Sequence, residues 1–125
     1  MFKAQVDAAP GAAAEDLALQ WLMQRGLALV QRNYRVARGP HARGGEIDLV
    51  MRTTDGTLVF VEVRSRSGSS HGGAAASVTA SKQRSLQLAA QHFLLRYASP
   101  PPCRFDVLAI DGGRVQWLQA AFNAA

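Results

Sequence analysis

Two acidic stretches carry the residues most able to do chemistry. Gly44-Gly45-Glu46-Ile47-Asp48-Leu49-Val50-Met51 and Leu58-Val59-Phe60-Val61-Glu62-Val63-Arg64-Ser65-Arg66 place three of the chain's nine carboxylates inside apolar runs. A carboxylate in such a setting is costly unless it is paired or holds a metal. Strand side chains alternate between faces. Glu46, Asp48 and Val50 are therefore expected on one face, with Ile47, Leu49 and Met51 on the other. In the second stretch Leu58, Phe60, Glu62 and Arg64 share a face opposite Val59, Val61 and Val63. If the two polar faces coincide, Asp48 and Glu62 are neighbours, and two like charges raise one pKa or recruit a cation. Magnesium, with manganese as a substitute, is the natural cation for an oxygen donor set that leaves room for water. It could polarise a phosphodiester and supply a nucleophilic water, and two such ions would clamp the attacking and leaving oxygens. A purely structural account uses the same residues. Glu62 and Arg64 would form an ion pair on a half-exposed face, Asp48 would cap the loop at Gly44-Gly45, and Glu46 would be a peripheral charge.

The elements that must position these residues are legible from periodicity and turn chemistry. Ala12 to Ala28 reads as a helix starting near Pro10-Gly11 and ending near Gly26, with Leu17, Trp21 and Leu22 on its apolar face and Glu15 bordering that face. A strand follows over Leu29–Val36, then a Gly/Pro/Arg loop. Two strands, Glu46–Met51 and Thr57–Ser65, are joined by a turn at Asp55-Gly56. Arg66 to Ala76 is rich in Gly, Ser and Ala and reads as a loop. A second helix is expected over about Thr79–Tyr97, capped by Ser77, Thr79 or Ser81, with Leu86, Ala89, Ala90, Phe93, Leu94 and Tyr97 apolar. Pro100 to Pro102 terminate it. Strands Phe105–Ile110 and Arg114–Leu118 flank Asp111-Gly112-Gly113. The order α-β-β-β-α-β-β predicts an α/β domain, a central mixed β-sheet flanked by helices. Strands apolar on both faces belong near the centre of that sheet.

Composition sets the outer bounds. With 125 residues, 48% of them apolar, the chain can fold as one domain over 1–125 with a real core. No apolar segment is long enough to span a bilayer, and Asp7, Glu15 and Asp16 interrupt any leader-like core, so a cytoplasmic protein is expected. Cys103 is the single cysteine and the three histidines match no zinc spacing, which excludes an intrachain disulfide and a cysteine-based zinc site. The net charge is +5, and twelve of the fourteen basic residues are Arg. Positive charge favours a polyanionic partner through counterion release, and the Arg fork suits phosphate.

Further candidates surround the acidic hairpin. Lys82 and Arg84 lie at the start of the second helix, where its positive end could meet phosphate oxygens. Arg38 and Arg43 precede the hairpin, and Arg66 follows Glu62 on the same strand face; these could flank a phosphate track, and equally could be solvated charges. His71 is a lone loop histidine. Trp21 and Trp117 read as packing, Tyr34 as either packing or stacking, and Asp106 as a support for Arg104 or the sheet edge rather than a ligand.

Gly45-Glu46-Ile47-Asp48-Leu49-Val50 followed by Val59-Phe60-Val61-Glu62-Val63-Arg64-Ser65-Arg66 closely resembles the YraN-like family, uncharacterised protein family 0102. That family is related to Holliday-junction resolvases in the PD-(D/E)xK nuclease superfamily. Ala14-Glu15-Asp16-Leu17-Ala18-Leu19-Gln20-Trp21-Leu22, Arg32-Asn33-Tyr34-Arg35, Lys82, the Arg104–Ile110 strand and Ala121-Phe122 agree with it, so the resemblance covers nearly the whole chain. It implies a restriction-endonuclease-like fold and a divalent-metal-dependent nuclease, or nuclease-like protein, acting on structured or branched DNA. It further implies that Asp48, Glu62 and the backbone carbonyl of Val63 ligate magnesium, and that Glu15 approaches the site to hold a water or a second ion. A resolvase-like enzyme is also expected to be a two-fold dimer. The chain departs from the superfamily pattern at Arg64, where lysine is usual. Arg can stabilise charge but does not give up its proton, so a nucleic-acid-binding module with weak or no catalysis is the alternative.

Overall fold

The computed structural model describes residues 10–37, 44–66 and 78–123. Helix α1 (Pro10–Gln24) is followed by strands β1 (Ala28–Val36), β2 (Gly45–Arg52) and β3 (Leu58–Arg66), helix α2 (Ala80–Leu94), and strands β4 (Cys103–Asp111) and β5 (Arg114–Phe122). This is the expected order. The strands form one mixed sheet in the order β1-β2-β3-β4-β5. β2 runs antiparallel to both β1 and β3, β3 and β4 are parallel across the α2 crossover, and β5 returns antiparallel. β3 is central, which accounts for its apolar residues on both faces.

The two helices cover opposite faces of the sheet. α2 contributes Leu86, Ala89, Ala90 and Phe93 to a cluster with Ile47, Val50, Leu58, Phe60, Phe105 and Val107. α1 contributes Ala18, Leu19 and Leu22 to a second cluster with Leu49, Met51, Val59, Val61 and Leu108. The Thr79 hydroxyl caps α2 by accepting from the Lys82 amide at 3.2 Å, which holds Lys82 in the first turn. β2 enters the sheet hard against this helix: a side chain on Gly45 would meet the Ser85 carbonyl at 2.6 Å and the Ala89 amide at 2.9 Å. Only glycine allows that approach.

Helix α2 ends at Leu94 rather than Tyr97 and β5 runs on to Phe122 rather than stopping at Leu118, and three further expectations change. Helix α1 stops at Gln24, where Gly26 takes a φ of 93° and donates to the Met23 carbonyl. Its inward stripe is Ala14, Ala18 and Leu22; Leu17 is 60% exposed. The small alanines sit at helical repeats that let the helix lie close to the sheet, leaving Leu17 on the neighbouring outward stripe. The third change lies in β2. Ile47 and Val50 face α2, whereas Leu49 and Met51 face α1, so Ile47 does not share a face with Leu49. The strand turns over at Asp48, opposite a β1 residue, Asn33, whose φ is 51°. In β3 the expected alternation holds.

Candidate functional site

The β2–β3 ladder runs from Arg52↔Leu58 to Leu49↔Val61. Just beyond its end lie Asp48 and Glu62. Asp48 Oδ2 accepts from the Val63 amide at 2.8 Å, so a side chain takes the place of the next backbone partner. This contact differs from a cap on Gly44-Gly45. Val63 itself packs against the α1-side cluster.

Glu62 is 3% exposed. Its Oε2 accepts from Arg64 Nη1 at 3.2 Å. Its Oε1 faces Lys82 Nζ at 3.7 Å, a charge pair too long to be a hydrogen bond. That oxygen is buried without a hydrogen-bond partner. Burial first, then the Asp48 charge, push the Glu62 carboxyl up to about 7, against the pull of Lys82 and Arg64. The Glu62–Arg64 ion pair of the structural account therefore exists, but its acidic half is buried and one of its two oxygens, Oε1, still lacks a donor.

Glu15 reaches the cluster from α1. Burial and then Asp48 raise its carboxyl above the ordinary range; Arg32 and a hydrogen bond from Asn33 draw it back. Glu15 and Asp48 lie close enough for each carboxyl to feel the other's charge. Two carboxyls in such contact share a proton or gather a cation. Arg32 lies 3.7 Å from Glu15 and 2.9 Å from Asp16, while its Nε is buried and without a hydrogen-bond partner. The structure thus gathers Glu15, Asp48, Glu62, Val63, Arg64 and Lys82.

The other candidates fall elsewhere. Arg84 is exposed on α2 and is not among the described side chains that reach Glu62. Glu46 pairs with Arg35 at 3.4 Å, the peripheral charge expected of it. Arg38, Arg43 and His71 lie outside the described residues, as does the side chain of Arg66 at the end of β3. Asp106 is fully buried and accepts from Arg104 Nε at 3.0 Å, Trp117 Nε1 at 2.9 Å and the Ala120 amide at 2.9 Å. Its work is to tie β4 to an irregular stretch of β5. Trp21 and Trp117 meet edge to face with centroids 5.7 Å apart, and Tyr34 packs edge-on against Phe93; all three serve packing.

Sequence reasoning assigned no role to Arg32 or Asn33. Both stand in the Arg32-Asn33-Tyr34-Arg35 run, and the available signal was an Asn inside a strand, a residue type that tolerates positive φ.

Among the described residues no group of three or more His, Cys, Asp or Glu is arranged to hold a metal ion. The carboxylates are close enough to feel one another's charge without forming a closed ligand set. The donor chemistry nevertheless fits a hard cation: carboxylate oxygens only, one of them buried and without a donor, beside a second carboxylate.

A mixed sheet flanked by helices, with one buried and two half-buried acids and basic side chains where two central strands part, defines an α/β protein carrying a carboxylate site. The chain belongs to the uncharacterised protein family UPF0102, whose model matches residues 14–110. It is similar to UPF0102 proteins of Methylibium petroleiphilum (62% identity over 94% of this chain and 96% of that one), Albidiferax ferrireducens (60%, 91% and 87%) and an Acidovorax species (57%, 98% and 90%). The solved structure of SSO0001 aligns at a TM-score of 0.43 and 17% identity, over 90% of this chain and 52% of that one, a likeness too distant to carry any argument. Among the described residues no helix is long and apolar enough to cross a membrane.

Proposed function

We propose that the site binds a divalent cation, magnesium or manganese, and that the protein is a nuclease or nuclease-like protein acting on structured or branched DNA. The observation that carries this reading is Glu62, a buried carboxylate whose Oε1 has no hydrogen-bond donor although Asp48, Lys82 and Arg64 surround it. A purely structural ion pair would satisfy both oxygens. The antiparallel β1–β3 meander, the α2 crossover and the parallel β3–β4 pair support a restriction-endonuclease-like topology.

Asp48 and Glu62 would hold the cation, with the Val63 carbonyl as a third ligand. When bound, the cation would polarise a phosphodiester and favour ionisation of water. The protein's own groups prepare that site. The Val63 amide fixes one oxygen of Asp48, and Glu15 approaches from the other face of the sheet. Arg64 and Lys82, each about one-third exposed, can meet both Glu62 and a phosphate arriving from solvent. Arg64 offers two donors in a plane and Lys82 a compact point charge, suited to orienting and neutralising an anion. Because Arg64 retains its proton, it stabilises charge and does not act as the base.

The test is titration with magnesium and manganese of wild type, Asp48→Asn and Glu62→Gln, with a labelled four-way junction and a matched linear duplex. Cation binding lost in both variants, with junction cleavage by wild type, supports the nuclease reading. Salt-sensitive DNA binding without cleavage supports the alternative raised by Arg64, a binding module that retains the cation site. Unchanged cation affinity in the folded variants would overturn the site.

A further inference from the structure

The change of face in β2 has a counterpart in β1. Arg32 pairs with Leu49 and Tyr34 with Ile47, so Asn33 stands opposite Asp48. Leu49 faces α1, and its paired Arg32 reaches α1 through Glu15 and Asp16. Ile47 and Tyr34 both pack on the α2 side. Two residues apart on a regular strand would share a face. Both strands therefore turn over together at one opposed pair, and Asn33 is the member with a left-handed backbone, φ 51°.

In a regular ladder Asp48 would share the α2 face with Val50, and Glu15, carried by α1, would lie across the sheet from it. The observed turnover puts Asp48 between the faces. From there it accepts from the Val63 amide and comes within charge range of the Glu15 carboxyl. We infer that Asn33 is a positioning residue for this site, and that its left-handed backbone turns Asp48 to where it can join acids from both faces of the sheet. Asn is one of the few side-chain-bearing residues that takes this conformation readily; Gly is the other residue that would, and Ala and branched residues resist it. The importance of Asp48 to cation binding rests on the function proposed above, whereas its placement by Asn33 does not.

The experiment compares wild type, Asn33→Gly and Asn33→Ala, without metal and then with manganese. The first readout is amide hydrogen exchange at Val63, whose N–H is held by the Asp48 side chain, with Val61 in the same strand as the internal control. Asn33→Ala is expected to speed Val63 exchange at least tenfold relative to Val61 and to weaken manganese binding at least tenfold. Asn33→Gly is expected to leave the Val63-to-Val61 ratio within about threefold of wild type. Equal protection in all three proteins overturns the inference, and so does loss of Val63 protection in Asn33→Gly. If Asn33→Ala does not fold, wild type against Asn33→Gly still decides by the same ratio. Absence of manganese binding by wild type, with the exchange pattern as expected, would sink the cation reading and leave Asn33 in its positioning role.

Discussion

Replacing Glu62 by Gln in the metal-free protein should raise its stability at neutral pH. Glu62 is buried, and its carboxyl is pushed from an ordinary 4.5 up to about 7, first by burial and then by Asp48. The folded state therefore keeps a proton that the unfolded chain has already released. Stability from the neutral acid is complete below about pH 4.5 and is lost as pH rises through about 7. The difference between those values, at roughly 1.4 kcal/mol per pH unit, comes to about 3 kcal/mol. Gln has nearly the same shape and stays neutral. Its stability relative to wild type should therefore change little at pH 4.5 and grow by up to about 3 kcal/mol by pH 8. Glu15 is raised in the same direction but is present in both proteins, so its contribution largely cancels. Urea denaturation of both proteins across that pH range, in a chelator, measures the difference directly. A gap that stays constant, or one in which wild type gains on the variant as pH rises, would show that Lys82 and Arg64 outweigh burial and would refute the reasoning. Magnesium at pH 8 should reverse the order, because a cation bound by the ionised carboxylate stabilises wild type alone.

Two further outcomes rest on packing. Gly45→Ala should cost about 2 kcal/mol or more, because the new Cβ would press on the α2 backbone at Ser85 and Ala89; a thermal midpoint equal to that of wild type would contradict the close approach. Asp106→Ala should cost about 3 kcal/mol or more by stranding the Trp117 indole N–H, the Ala120 amide and the Arg104 guanidinium, while leaving cation affinity unchanged in the folded fraction; weaker cation binding there would make Asp106 part of the site after all.

The order of elements could be read from the chain because its causes are local. Asp55-Gly56 and Asp111-Gly112-Gly113 mark turns, the proline run follows α2, and the apolar period switches between two and nearly four. The same rules offer Ser77, Thr79 or Ser81 as the cap of α2, of which the structure uses Thr79, and place β3 at the centre through its two apolar faces. They also identify Asp48 and Glu62 as misplaced charges; that Arg64 stands where lysine is usual came only from the family resemblance. Leu17 was misread because helical spacing alone does not say which of two adjacent stripes meets the sheet. Only the packing of Ala14 and Ala18 settles that.

The site's assembly depends on contacts between residues far apart in sequence, and no local pattern encodes them. Lys82 meets Glu62 because Thr79 starts α2 above the end of β3 and Gly45 lets β2 approach that helix. Glu15 meets Asp48 because two strands turn over together at Asn33, against the simple alternation that the sequence suggests. The sequence by itself determined which elements form and which acids are out of place, since backbone propensity and hydrophobic period are properties of neighbouring residues. Tertiary structure alone decided which oxygen is left without a donor and which cations face it, because burial and charge coupling exist only once both helices close on the sheet.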